Sequence, residues 1–202
     1  MIPQHSSKSN EHPTPENVVE AARGVLGSID LDPASSHAMN ERIRADRIFT
    51  IEDDGLTKAW HGRVFLNPPG GRLRKVEGRW QRASGGRAES SMVVWWEYLV
   101  SEWLAERTSA AVFVAFTLEI LRISQRGALP VQAFPRCYPK ARLCFGGDDP
   151  THANVLVYLP PRGMPGVSGF AKFCEAFRPI GYCEPGSNPV QAPSPEPSGG
   201  FP

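Results

Sequence analysis

A chain of 202 residues has room for one buried core and needs neither disulfide nor metal to hold it. Its formal net charge of +1 excludes a molecule-wide field for nucleic acid or membrane, so any such surface must be local. No run of about 18 apolar residues is present, so no membrane-spanning helix and no membrane partner are expected. The polar start MIPQHSSKSNEHPTPEN lacks an apolar signal core, and the chain reads as cytoplasmic.

Residues 1–12 are polar, and the tail from Gly186 is rich in Pro, Ser and Gly. Neither can bury enough apolar surface to offset its ordering entropy, so both are expected to be disordered around a domain at 13–185. Thr14-Pro15-Glu16 opens a helix: Thr14 can cap, Pro15 suits the first helical position and Glu16 favours the positive end of the dipole. Val18, Val19, Ala22, Val25 and Leu26 follow at helical spacing, and Gly27 is a stop. Ile29 to Leu31 reads as a short strand ending in Asp32-Pro33. Ser36 to Asp46 is a polar, helix-like segment. "FTIEDDGL" is extended, with a turn at Asp54-Gly55. "RVFLNPP" is a strand that stops abruptly at Asn67.

Residues 71–91 show almost no apolar periodicity and hold Arg72, Arg74, Lys75, Arg79, Arg82 and Arg87, with glycines between them. They are expected to form a long basic loop. "MVVWWEYLVSEWLAER" is an amphipathic helix, with its tryptophans expected in the core. "AAVFVAF" is a buried central strand, and "LEILRISQRG" a short helical or turn segment. "ARLCFGG" and "ANVLVYLPP" are expected to pair as a hairpin at one edge of the sheet, and "GFAKFCEAFRPIG" is a closing helix. Strands alternating with helices predict an α/β domain with a mostly parallel sheet and a late antiparallel hairpin. Ligands of open sheets sit beyond the carboxyl ends of strands, where Asp32-Pro33 and Asn67-Pro68 both fall. Cys137, Cys144, Cys174 and Cys183 form no C-x-x-C pair and match no common zinc spacing; they read as reduced thiols, and no metal is expected.

"GRVFLNPPGG" carries the sharpest chemistry. Asn-Pro commonly starts a turn, and Pro-Pro-Gly-Gly breaks any strand. At a sheet's carboxyl edge the same corner can do more. The two prolines fix the backbone, so the Asn67 amide oxygen and the Pro68 carbonyl can face one point as acceptors. Two rigid acceptors suit an exocyclic amine, which they can hold and enrich in electron density as it attacks an electrophile. Asp32 could equally start an Asx turn, and Asp53-Asp54-Gly55 an ordinary loop. His152 and Arg142 could reach a phosphate or base, or be solvated.

The ordered set "TPENVVEAA", "IDLDPASS", "FTIEDDGLTKAWHGRVFLNPPGG", "WWEYL", "AVFVAF" and "HANVLVYLP" resembles the phage-type DNA N-6-adenine methyltransferases over residues 13–181. The resemblance implies a compact Rossmann-like fold, S-adenosylmethionine as cofactor and adenine in duplex DNA as substrate, in a bacterial or phage-infected cell. Asn67, Pro68 and Pro69 match the family's (D/N)PP(Y/F) motif: Asn67 and Pro68 would bind the target amine, and Pro69 would hold the loop's shape. Thr14 and Pro15 match the TP element at the methionine end of the cofactor. Asp32, with Pro33 and Ala34, would lie near its cationic amine, and Asp53 or Asp54 near its ribose or adenine. The motif's aromatic is replaced by Gly70, so stacking on the flipped base would come from Phe116 or Trp80. "DPASSHAMN" lacks the glycines of many cofactor loops. The basic loop, through Arg72, Arg74 and Lys75, and His152 in the hairpin loop are candidates for DNA contact. Other amine acceptors (cytosine, RNA or a small molecule) and a non-catalytic nucleic-acid-binding module remain open alternatives.

Overall fold

The structure, a computed structural model, describes residues 13–83, 88–145 and 152–187. Arg87, the termini and the tip of the late loop lie outside these residues. Helix α1 (Glu16–Leu26) leads into strand β1 (Leu31–Asp32), helix α2 (His37–Ile43), β2 (Arg47–Ile48) and β3 (Gly62–Leu66). Strands β4 (Arg72–Val76), β5 (Arg79–Arg82) and β6 (Glu89–Ser90) precede the long helix α3 (Ser91–Leu104) and strand β7 (Thr108–Ala115). Helix α4 (Ile120–Ile123), β8 (Arg136–Pro139), β9 (Val155–Leu159), α5 (Gly166–Phe177) and β10 (Gly181–Glu184) complete the described chain.

Seven strands form one mixed sheet in the order β10-β8-β9-β7-β3-β1-β2. The half β2-β1-β3-β7 is parallel, and β9, β8 and β10 continue it with antiparallel pairings. The sheet is therefore evenly mixed rather than mostly parallel. Its antiparallel part is also no simple edge hairpin: β9 lies inside the sheet beside β7, and β10 forms the edge.

Alternation along the strands builds two cores, one per face. Val64 and Leu66 of β3, Ala111 and Phe113 of β7, and Val155 and Val157 of β9 pack with Met92, Trp96, Leu99 and Trp103 of α3. Phe65, Val112, Val114, Leu156 and Tyr158 point the other way, onto Val18, Val19 and Ala22 of α1 and Phe173 and Phe177 of α5. The result is a helix–sheet–helix sandwich. Burying a side chain such as Phe65 or Phe113 contributes roughly 1.5–3 kcal/mol, so the central strands are the most secure part of the frame.

Two expectations from sequence give way here. Residues 141–145, the described part of "ARLCFGG", form no strand; β9 pairs with "RCYP" at 136–139 instead. A segment holding Arg and Pro does not read as a strand, but Arg136 is buried and donates to Glu184 of β10 at 2.9 Å, while Tyr138 donates to the same carboxylate at 3.1 Å. Residues 71–91 are likewise not a bare loop, since β4, β5 and β6 form a separate three-stranded sheet. The packed chain also runs past 185: the Ser187 N–H donates to the Gln132 carbonyl at 2.8 Å.

Candidate active site

The order of the parallel strands places the site. From β1 the chain goes outward to β2, then returns to the other side of β1 to form β3 and later β7. The direction of winding thus reverses between β1 and β3, and a crevice opens beyond the carboxyl ends of strands at such a point. Asp32 ends β1, and Asn67 follows the last residue of β3. Both line one cavity of about 1190 Å³. Thr14, Pro33, Ala34, Asp54, Pro68, Pro69, Gly70, Phe116 and His152 line it as well. Pro15, Arg72, Arg74 and Lys75 do not. Pro15 instead caps α1, its carbonyl accepting from the Val18 and Val19 N–H groups.

The Asn67 corner is held from two sides. Its Nδ2 donates to Thr14 Oγ1 at 3.0 Å, which turns the amide oxygen to the opposite side of the group. Thr14 is 2 % exposed, and its carbonyl accepts from Arg42 at 3.0 Å. Its hydroxyl therefore serves the site and makes no cap on α1, contrary to the sequence expectation. On the far side the Ser91 hydroxyl, at the start of α3, donates to the Pro69 carbonyl, and the Ser91 N–H donates to the Gly71 carbonyl at 3.0 Å. Gly70 is exposed, and a side chain there would begin 3.9 Å from the tip of the Phe116 ring. An aromatic ring from the end of β7 thus stands beside the position that lacks one.

Two acids near β1 behave oppositely. Asp30, just before the strand, accepts from Arg63, whose hydrogen bonds hold its carboxyl below the usual range. Asp32 is 3 % exposed, and burial raises its carboxyl to about 7 against the Ala34 N–H that it accepts at 3.2 Å. That N–H makes the Asx turn anticipated from sequence, and the carboxyl still lines the cavity. The Asp53–Asp54 ambiguity resolves in space. Asp53 folds back to accept from the Thr50 N–H and hydroxyl at 2.8 and 3.0 Å, whereas Asp54 lines the cavity. The next residue has to be glycine, because a Cβ on Gly55 would stand 2.1 Å from the Pro33 carbonyl oxygen. This close approach folds the Asp54 turn onto the Asp32-Pro33 corner.

Sequence reasoning missed three contributors. Trp95, expected only in the core, is buried yet lines the cavity, and its indole Nε1 has no hydrogen-bond partner among the described residues. Buried polar groups are rarely left this way outside ligand sites. Asn154, 5 % exposed, accepts from the Leu143 N–H at 2.9 Å and donates to the Phe116 carbonyl at 3.2 Å. It thereby ties the end of β7 to the segment before β9. Phe145 of that segment joins the cavity wall. The spacing of "ARLCFGG" that resembles a strand belongs in part to a pocket lining.

No group of three or more His, Cys, Asp or Glu side chains among the described residues is placed to hold a metal. Cys137 is buried, and burial pushes its thiol well up. No helix among the described residues is long and apolar enough to cross a membrane. Comparison with protein-family models, curated proteins and solved structures gave no match.

Proposed function

We propose that the protein is an S-adenosylmethionine-dependent methyltransferase of Rossmann-like fold, acting on the exocyclic N6 amine of adenine in DNA. The observation that carries this reading is the shared cavity at the strand-order reversal. A rigid Asn-Pro-Pro corner and a buried acid with no cationic partner among the described residues open onto it from adjacent parallel strands. The donor set suits the cofactor. Asp32 offers a carboxylate to an ammonium group, and Asp54 offers one to ribose hydroxyls. The Trp95 N–H supplies a donor for a ligand oxygen or nitrogen, and Phe49 and Leu56 supply apolar wall. The volume exceeds the roughly 300–1,000 Å³ of a single small-ligand site, as a cofactor and an extruded base together require.

When bound, the cofactor supplies an electrophilic methyl group. The chain's own contribution is position and polarity. The Asn67 amide oxygen and Pro68 carbonyl accept the two N–H groups of the target amine. Each acceptor pulls on a proton and so enriches the nitrogen in electron density. Thr14 fixes the amide's orientation, and Ser91 fixes the loop that carries the prolines. Preorganised dipoles of this kind act without a strong base. Phe116 supplies the ring for the base to stack on, in place of an aromatic at position 70.

Plasmid DNA incubated with the protein and cofactor, then digested and analysed by mass, is expected to contain N6-methyladenine. Asn67→Ala should lower the yield by about 100-fold or more, on the scale of losing one preorganised hydrogen-bond group. Asn67→Asp keeps an acceptor there and should retain far more activity. Methylation confined to cytosine, RNA or a small molecule would move the substrate. Full turnover by Asn67→Ala would remove the proposed mechanism.

A further inference from the structure

Directly after the Asn67 corner the chain builds a ribbon with two different faces. β4 and β5 run antiparallel, with Leu73 opposite Arg82, Arg74 opposite Gln81, Lys75 opposite Trp80 and Val76 opposite Arg79. Residues directly opposite share a face, and neighbours along a strand alternate. One face therefore carries Leu73, Lys75, Trp80 and Arg82, joined by Glu89 of β6. Leu73, Trp80 and Arg82 line the cavity, so this face looks inward. The Lys75 ammonium lies 5.9 Å from the Trp80 ring centre on the same side.

The other face carries Arg72, Arg74, Val76, Arg79 and Gln81 and looks away from the cavity. Its three arginines are exposed. The side chains of Arg74 and Arg79 make no hydrogen bond or ion pair among the described residues, while Arg72 donates to the Ala88 carbonyl at 2.6 Å. In a chain of net charge +1 this is a local concentration of cations beside the candidate active site. The ribbon ends in a tight turn at Glu77 and Gly78, both with positive φ (48° and 84°), as a two-residue hairpin of the mirror-image type requires.

We propose that this ribbon is the element that grips the nucleic acid, and that its geometry selects B-form DNA. The outward face lies in the major groove with Arg72, Arg74 and Arg79 against phosphates and groove edges, while the inward face closes over the extruded base. The inference rests on the methyl-transfer reading for the identity of that base. The choice of duplex rests on shape. A B-form major groove, about 12 Å wide, admits a two-stranded ribbon. The major groove of an A-form RNA duplex is too narrow for side chains to read. The acid at the tip fits the same placement. Glu77 would be repelled by a row of phosphates, but on the groove floor a carboxylate can accept from a cytosine amine.

The full chain and a triple variant, Arg72→Gln with Arg74→Gln and Arg79→Gln, are titrated with a labelled DNA duplex and an RNA duplex of the same sequence. Anisotropy is read between 50 and 200 mM salt. Each lost phosphate contact flattens log K against log salt by about 0.9, so the triple variant should lose up to about 2.7 of slope. The cofactor-induced thermal shift should be unchanged, which shows that the fold and cavity are intact. The wild type should bind DNA at least tenfold more tightly than RNA. Unchanged slope in the variant, or equal affinity of the wild type for the two duplexes, overturns the proposal. The two readings fail separately. Ribbon-dependent DNA binding with no methylated base rejects the enzyme and keeps the ribbon; methylated DNA with an unaltered salt slope does the reverse.

Discussion

At the scale of single residues, the site is defined by polar groups that the fold leaves in unusual settings. Four tryptophans are buried, and three of them donate their indole N–H to a carbonyl: Trp60 to Gly55 at 2.8 Å, Trp96 to Leu129 at 2.9 Å and Trp103 to Pro160 at 2.8 Å. Trp95 alone among these four has no partner among the described residues, and it alone lines the cavity. A buried orphan donor costs about 1–3 kcal/mol, and a ligand acceptor would relieve that cost. Cofactor addition should therefore shift the Trp95 indole resonance in a nitrogen–proton spectrum and slow its hydrogen exchange. The Trp96 and Trp103 resonances should barely move. An unperturbed Trp95 signal at saturating cofactor would show that the ligand seats elsewhere.

At the scale of elements, parts of the chain are exchanged between structural and functional duty. Phe116 follows the last residue of β7 and stands beside the corner after β3 that lacks an aromatic. Base–aromatic stacking is worth about 1–3 kcal/mol, so Phe116→Ala should lower kcat/KM for DNA by roughly tenfold or more. Phe116→Tyr should restore most of it, while the cofactor-induced thermal shift stays constant in both. Equal loss in Tyr and Ala would mean that the position serves packing and not stacking. The same exchange explains what could and could not be read from sequence. α1, α3 and α5 were legible because their apolar periodicity reports a packing face, and β3 and β7 because their continuous apolar runs report burial on both faces of the sheet. β8 was not, because its Arg136 is neutralised by Glu184, 48 residues away. "ARLCFGG" was misread because Leu143 and Phe145 alternate to reach both the core under the sheet and the cavity wall without pairing with a strand. The β4–β5 ribbon was invisible because polar residues occupy both of its faces. In the site, Asn67 and Asp32 announced themselves by their place after apolar strands. The Thr14–Asn67 bond spans 53 residues and required the fold.

At the scale of the whole molecule, the buried Asp32 couples stability to pH, and on the proposed reading to ligand as well. Its carboxyl is raised from the ordinary value of 3.8 to about 7, so between those pH values the native state binds more protons than the unfolded state. Stability contributed at this site is therefore greatest below pH 4 and falls as pH rises to 7, by up to about 4 kcal/mol at 1.36 kcal/mol per unit. Glu102 works in the opposite sense. Burial would raise its carboxyl, but hydrogen bonds from Arg107 and the Trp60 N–H outweigh burial and hold it below the usual range. Its contribution is present above pH 4.5 and lost as pH falls. Total stability against pH therefore mixes the two, whereas the difference between wild type and Asp32→Asn isolates the first. Without ligand, Asp32→Asn should melt higher than wild type at pH 8, with the gap closing towards pH 4. With cofactor the order should reverse, because a bound ammonium pairs with the wild-type carboxylate and finds only an amide in the variant. Cofactor affinity of the wild type should rise up to tenfold per pH unit from 5 to 7 and then level, with a proton released on binding below pH 7. Thermal melts from pH 5 to 8.5, with and without cofactor, measure all of these. A wild-type–variant gap independent of pH would show that Asp32 is ionised before the ligand arrives, and that its charge is balanced from within the protein.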